Sequence, residues 1–388
     1  MSCQEYLYNI TLMAAQLSPR NKTAPPDKDY AVLLTKFILY KIGAPTLCLF
    51  GIIGNVLNVI ILTRKQLQQS MDRMEKSVHL GLVALAVSDM FFCLVALPMA
   101  FLPNTLFYTE EDSLMSLYYY AYKEPLFNTF LLSSTWLTVA MATGRYMGIC
   151  YPLHARGFIN LKATRLSISA IFIISVAFNM PQFWRYHIPE KQCAANCKCY
   201  ILVVSDLYKN GYFVITYKIM WAILGVSVPL FILAFCNICL IRALKESHKM
   251  RQMYRANRTN QESGHRLTIT LITIVAMFII LVSPSEILKF LETWVINSPD
   301  DTNRYNAFMI SKFVVNFLQI INFTINFVLY CVINVHFRKT VKSVLCCMCN
   351  KQDNYKYTNT NTLTVNISEC GEAMEMDDRE CCISLVNP

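Results

Sequence analysis

Seven long apolar runs constrain this chain more than any other feature. They cover about 37–63, 78–101, 122–150, 164–183, 212–241, 267–294 and 307–333. A helix of roughly 20 apolar residues crosses the roughly 30 Å hydrocarbon core of a bilayer. No water reaches backbone polar groups there, so each run must satisfy itself as a helix. Composition agrees: 55% of residues are hydrophobic and only 15% charged, against roughly 25% charged in a soluble domain. The expected fold is an all-α membrane protein, a seven-transmembrane helix bundle with a short amphipathic helix on the inner surface. Whole-chain disorder, collagen and small disulfide scaffolds are excluded.

Basic residues orient the bundle. Connectors one, three and five carry Arg64, Lys65, Arg73 and Lys76, then Arg156, Lys162 and Arg165, then seven cations from Arg242 to Arg266. Connector two carries Glu110, Glu111 and Asp112 without a cation, and connector six has Asp300 and Asp301 against Arg304. Odd connectors are therefore expected in the cytoplasm and the N-terminus outside. The net charge of +10 reflects this inner-face bias rather than a nucleic-acid patch. No basic leader with a cleavage site precedes the first run, which is expected to act as the anchor.

The expected organisation is an extracellular tail (1–36), the bundle (37–333), an amphipathic helix with a cysteine cluster (334–349) and a disordered cytoplasmic tail (350–388). Asn9 and Asn21 begin glycosylation sequons in the outer tail. Cys346, Cys347 and Cys349 come just after the amphipathic segment, where they are either palmitoylated or simply reduced thiols. The hydroxyl-rich end is either a solvated tail or a phosphorylated one that binds a basic partner. Cys3, Cys193, Cys197 and Cys199 sit in polar segments on the outer side. Four thiols allow three pairings.

Polar groups inside the runs single themselves out, since each is costly in lipid. Asp89 lies in run two, Ser134 in run three, and Asn322 and Asn326 four apart on one face of run seven. A carboxylate with hydroxyl and amide oxygens suits sodium. Spacing alone favours a plain interhelical hydrogen-bond cluster.

These residues, in this order, resemble the rhodopsin-like (class A) G-protein-coupled receptors over about 35–349. Gly54-Asn55, Leu85-Ala86-Val87-Ser88-Asp89, Gly144-Arg145-Tyr146, Pro229, Phe278 with Pro284, and Asn326-Phe327-Val328-Leu329-Tyr330 carry the likeness. The resemblance implies coupling and activation roles for Arg145, Tyr146, Phe278, Pro284, Asn326 and Tyr330. It also implies a sodium pocket of Asp89, Ser134, Asn322 and Asn326. The implied partners are a heterotrimeric G protein, arrestin and receptor kinases at the C-terminal tail, and membrane lipid. Some positions depart from the family pattern. Gly144 replaces the acid that precedes the arginine, Phe327 the proline of run seven, and Val282 the tryptophan of run six. No cysteine between Cys93 and Cys150 can form the family's usual outer bridge.

The resemblance places the ligand between the outer halves of runs three, five, six and seven. Phe127 stands where amine receptors have an aspartate, and Ile320 where opsins have the retinal lysine. Expected lining residues are Phe127, Asn128, Gln182, Tyr217, Trp221, Glu286, Lys289, Glu292, Lys312 and Asn316. Mixed charge suggests a peptide with a basic side chain paired to Glu286 or Glu292. Ser283 to Leu288 and Trp136 to Ala140 are similar to invertebrate neuropeptide receptors of the FMRFamide and myoinhibitory-peptide group. The chain shows no phosphate loop or His-Glu-x-x-His pair, so it is read as a receptor and not an enzyme. Rival readings are a constitutively active receptor, a receptor for a lipid or small molecule, and a transporter or channel. The last would call for inverted repeats.

Overall fold

The computed structural model describes residues 26–64, 73–102, 108–109, 114–194, 197–253, 261–296, 302–333, 337–338 and 340–341. Seven helices are long and apolar enough to cross a membrane. They are α1 (Tyr30–Leu62), α2 (Arg73–Ala100), α3 (Leu114–Cys150), α4 (Leu161–Trp184), α5 (Gly211–Glu246), α6 (Thr268–Lys289) and α7 (Arg304–Ile333). Several outrun their apolar cores. The helix feeding α1 begins at Pro26 rather than near 37, because a proline's missing N–H and fixed φ suit a first helical turn. α3 starts at Leu114, one full polar-aromatic stretch before 122.

Local chemistry sets the starts of α4 and α5. Asn160 and Asn210 have extended backbones and cap the turns they precede. Their side-chain oxygens accept from Ala163 N at 2.8 Å and from Tyr212 N at 3.0 Å. Such caps satisfy amides that a first turn leaves open.

Two helices widen into π turns, at Phe37–Gly43 in α1 and Trp221–Ser227 in α5. The second lies just before Pro229, which has no N–H to offer the Gly225 carbonyl. The Leu224 carbonyl accepts from the Trp136 indole of α3 at 3.2 Å. The wide turn thus becomes a junction between two helices.

In lipid, packing and interhelical hydrogen bonds hold helices together, since the surrounding tails are as apolar as leucine. Gly51 and Gly54 let α1 approach closely. A Cβ at Gly51 would lie 2.6 Å from Thr324 Cγ2 and 2.8 Å from Cys93 Sγ, and one at Gly54 would meet Phe327 Cβ at 3.0 Å. Phe327, where the family has proline, therefore packs against α1. Phe92 and Phe323 stack 3.7 Å apart in a core that includes Leu131, Phe278 and Val282. Leu166, Ile173 and Ile174 of α4 point outward, as a lipid-facing helix requires.

Connectors two and four hold short strands that periodicity does not reveal. β1 (Tyr108–Thr109), β3 (Glu190–Ala194) and β4 (Cys197–Tyr200) form an antiparallel sheet in the order β1-β4-β3. β2 (Tyr186–His187) pairs with β5 (Val203–Val204). Cys199 is buried and disulfide-bonded. Cys3 and the side chains of Cys193 and Cys197 lie outside the described residues.

Residues 330–388 form a second unit. Within it the Tyr330 and Phe337 rings lie 5.5 Å apart, and Arg338 Nη1 donates to the Val332 carbonyl at 3.1 Å. Asn9, Asn21, Cys346, Cys347, Cys349 and the tail from 350 lie outside the described residues.

Candidate functional site

A cavity of about 1200 Å³ opens among α1, α2, α3, α5, α6 and α7, with the end of α4 and the β2–β5 connector. Of the residues expected to line it, Phe127, Asn128, Gln182, Tyr217, Trp221, Lys289, Lys312 and Asn316 do so. Glu292 belongs to a helix, but its side chain lies outside the described residues.

The wall is braced by a hydrogen-bond chain. Asn128 Nδ2 donates to Gln182 Oε1 at 2.9 Å, and Gln182 Nε2 donates to Asn179 Oδ1 at 3.1 Å and to the Tyr217 hydroxyl. Gln182 sits in a 3₁₀ turn that ends α4 around Pro181, so this one amide ties α3, α4 and α5 together. Tyr40 hydrogen-bonds Asn316, joining α1 to α7.

Glu286 occupies a different place from the one expected. It is only 3% exposed and is not among the lining residues. Its Oε1 accepts from Lys289 Nζ at 2.6 Å and from Gln319 Nε2 at 3.4 Å, and its Oε2 accepts from Trp221 Nε1 at 3.0 Å. Glu286 therefore does not reach out to a ligand arginine as expected, while Glu292, the other acid expected in that role, has its side chain outside the described residues. Glu286 and Lys289 lie one turn apart on α6, and the local pairing wins. The carboxylate instead braces the cavity floor, linking α5, α6 and α7. Lys289 also lies 5.5 Å from the Trp221 ring centre.

Sequence reasoning missed a cationic side of the cavity. Lys36 caps the π turn of α1 and Lys41 lies within it, and Lys123 precedes Glu124 on α3. The first two fall at the end of the outer tail and in the first apolar run, where a lysine carries no signal of its own. Their i, i+5 spacing matches a π turn, but nothing local announces one. Arg185, which also lines the cavity, lies over Tyr186 and Tyr208 at 5.2 and 6.0 Å. Burial pushes the Tyr208 phenol up and the Arg185 charge opposes it, leaving a neutral donor.

A second constellation lies deeper. Ser134 Oγ donates to Asp89 Oδ1 at 2.7 Å, and Asn326 Nδ2 donates to Asp89 Oδ2 at 2.6 Å. Asp89 is 1% exposed. Asn55 Nδ2 donates to the Phe323 carbonyl at 2.9 Å, tying α1 to α7 beside it. Asn322 is buried, but among the described residues it makes no hydrogen bond to that carboxylate. The Asp89 and Ser134 oxygens fit a hard cation. Asn326 presents its amide nitrogen and would need to turn its carbonyl inward to serve as a ligand.

At the end of α3 away from the cavity Arg145 is buried, and Tyr146 packs between Tyr151 and Phe235 with ring centres 5.7 and 5.5 Å away. A Cβ at Gly144 would meet nothing within 4 Å. Phe278 is buried in the core, and Pro284 lies inside the α6 helix.

Seven spanning helices, a cavity at one end, a buried polar centre and an arginine at the other end make a seven-transmembrane receptor architecture. A family profile described as serpentine type 7TM GPCR chemoreceptor Srw matches residues 42–348, and the chain belongs to that family of G-protein-coupled receptors. It is similar to Sex peptide receptor-related protein 2 of Caenorhabditis elegans, with 26% identity over 84% of this chain and 76% of that protein. It is also similar to the FMRFamide receptor of Drosophila melanogaster, with 26% identity over 74% of this chain and 50% of that one. The Sex peptide receptor of Drosophila melanogaster is 24% identical over 88% and 79% respectively. The family consists of signalling receptors rather than enzymes.

Proposed function

We propose that this multi-pass protein binds an extracellular peptide in the outer cavity and passes the event to a heterotrimeric G protein. The observation that carries the reading is the cavity itself. At about 1200 Å³ with a polar, aromatic wall, it is larger than most small-molecule sites and sits in a receptor whose relatives are named for peptides. The basic odd connectors support an N-terminus outside and residence in the plasma membrane. Asn9 and Asn21 would then carry glycans, and Cys346, Cys347 and Cys349 acyl chains.

A ligand shifts a receptor only by binding its active state more tightly than its resting state. Glu286 supplies a route. A ligand group that draws on Lys289 or Trp221 changes what this carboxylate holds, and so alters the link among α5, α6 and α7. Movement of α5 and α6 would open the inner face beside Arg145 to the G protein, whose own site performs the nucleotide chemistry. Arrestin and receptor kinases would engage the hydroxyl-rich tail. Sodium at Asp89 and Ser134, with Asn326 turned, would stabilise the resting packing.

Calcium and cyclic AMP signals in cells expressing the chain, challenged with a panel of amidated peptides, test the reading. A response at nanomolar peptide that Arg145→Ala removes, at equal surface expression, supports it. Silence to all peptides with an Arg145-dependent basal signal would favour a constitutive receptor, a reading that Gly144 supports.

A further inference from the structure

Resting on the peptide-receptor reading, we propose that the Tyr208 hydroxyl, with Arg185 beside it, forms the subsite that takes a main-chain carbonyl of the bound peptide. The inference starts from a donor held in the cavity wall with nothing to donate to. Tyr208 lines the cavity, and its hydroxyl is buried with no hydrogen-bond partner among the described residues. Leaving such a group unpaired is costly, and folded proteins rarely keep one without a use.

The ring is fixed where it stands. Connector four is clasped to the end of α4 by the β2–β5 pairing of Tyr186 with Val204. The next residue continues the clasp, as Ser205 N donates to the Arg185 carbonyl at 2.9 Å. Tyr208 N then donates to the Ser205 carbonyl at 3.0 Å, within the single turn Asp206–Lys209. Phe213 of α5 meets the Tyr208 ring edge-on at 5.4 Å, and the Arg185 guanidinium lies 6.0 Å from its centre. A group already held in this way loses little freedom when a ligand binds it.

Nearby polar groups of the wall are already committed. The Tyr217 hydroxyl accepts from Gln182 Nε2 and donates to Asn179 Oδ1 at 3.3 Å, and the Gln182 oxygen accepts from Asn128 at 2.9 Å. Tyr208 is the open group in this corner. Arg185, which lines the same cavity, decides the chemistry of its partner. A guanidinium carries donors and no acceptor. A peptide N–H placed here would face the Arg185 donors. A carbonyl oxygen has two lone pairs, one for the phenol and one for the guanidinium. Every residue of a peptide carries such a carbonyl, so the contact sets the register of the bound backbone and leaves side-chain selection to the rest of the wall.

The test uses the full chain in cells and the most potent peptide of the amidated panel, remade as a series with one backbone amide at a time replaced by an ester, whose carbonyl is a weaker acceptor. Tyr208→Phe should lower the potency of the parent peptide about tenfold at equal surface display, the size of one hydrogen bond whose partner is left buried and unpaired. Tyr212→Phe, at a tyrosine 88% exposed and outside the cavity lining, should not. One ester should cost about fivefold on the native chain and nothing further on Tyr208→Phe. A merely structural role for the hydroxyl would leave every ester equally costly on both. A second measurement needs no variant: photoleucine placed beside the sensitive carbonyl should label residues 205–209 of the native receptor, mapped by mass spectrometry. Unchanged potency in Tyr208→Phe, ester losses equal on both receptors, or labelling confined to other segments overturns the proposal and leaves the peptide-receptor reading intact. Silence to every peptide of the panel from surface-displayed receptor overturns that reading, and the proposal with it.

Discussion

Replacing Glu286 with glutamine tests whether one buried carboxylate holds the floor of the cavity. The side chain is nearly isosteric, so the change is one of charge and donor pattern. Glu286 accepts from Lys289 at 2.6 Å, Trp221 at 3.0 Å and Gln319 at 3.4 Å. A glutamine has one acceptor oxygen and one amino group, so at least one of these donors ends up facing another donor. Loss of the charge-assisted bond would cost about 1.5–3 kcal/mol if fully buried. Lys289 is 39% exposed, and its ammonium can turn to water, which places this contribution at the low end. Removing a buried charge offsets some of the rest. The net expectation is a destabilisation of about 1–3 kcal/mol, or roughly 2–8 °C in melting temperature. Buried free thiols at Cys48, Cys93 and Cys236 provide the assay, since a thiol-reactive dye reports their exposure as purified receptor is heated. Glu286→Gln and Lys289→Gln should be strongly non-additive in a double-mutant cycle. A variant melting at or above the native temperature, with additive single effects, would refute the bracing role.

Other perturbations probe the packing and the polar centre. Gly51→Ala should lower surface display through overpacking of about 1–3 kcal/mol. Thr324→Ser should partly restore it by removing the methyl group 2.6 Å from the new Cβ. Gly144→Asp meets no steric obstacle and should reduce basal signalling several-fold by placing a carboxylate beside Arg145, whereas Gly144→Ala should not; cyclic AMP without ligand reads both. Sodium chloride should raise the melting temperature relative to choline chloride in the native chain and not in Asp89→Asn. Cys199→Ser should lower stability by about 2–4 kcal/mol, as loss of a disulfide does, seen as reduced display at the cell surface.

The spanning helices are legible because lipid allows one solution to the backbone problem, and an apolar run states it in plain composition. The deep centre is legible for the same reason, since Asp89, Ser134 and Asn326 are polar groups in the wrong solvent unless they meet. They do meet, while Asn322 shares the face of Asn326 without joining the carboxylate. The cavity is harder to read. Glu286 looks like a ligand contact because a charge in the outer half of a helix has two fates, yet its pairing with Lys289 is written in the i, i+3 spacing. Lys36 and Lys41 escape assignment to the wall, because a π turn has no sequence signature and rotates the residues beyond it. The strands around Cys199 are two to five residues long and pair across two connectors, so no local period marks them.

The central claim is that this bundle activates a G protein through Arg145. Its most direct measurement is nucleotide exchange on a purified heterotrimeric G protein by the full chain in nanodiscs. The most potent peptide of the amidated panel is added, and Arg145→Ala runs in parallel. The account predicts exchange accelerated by receptor, increased further by peptide, and lost in the variant while peptide binding remains. Exchange unchanged by receptor and peptide, together with solute flux through the same protein in liposomes, would contradict it and return the chain to the transporters or channels.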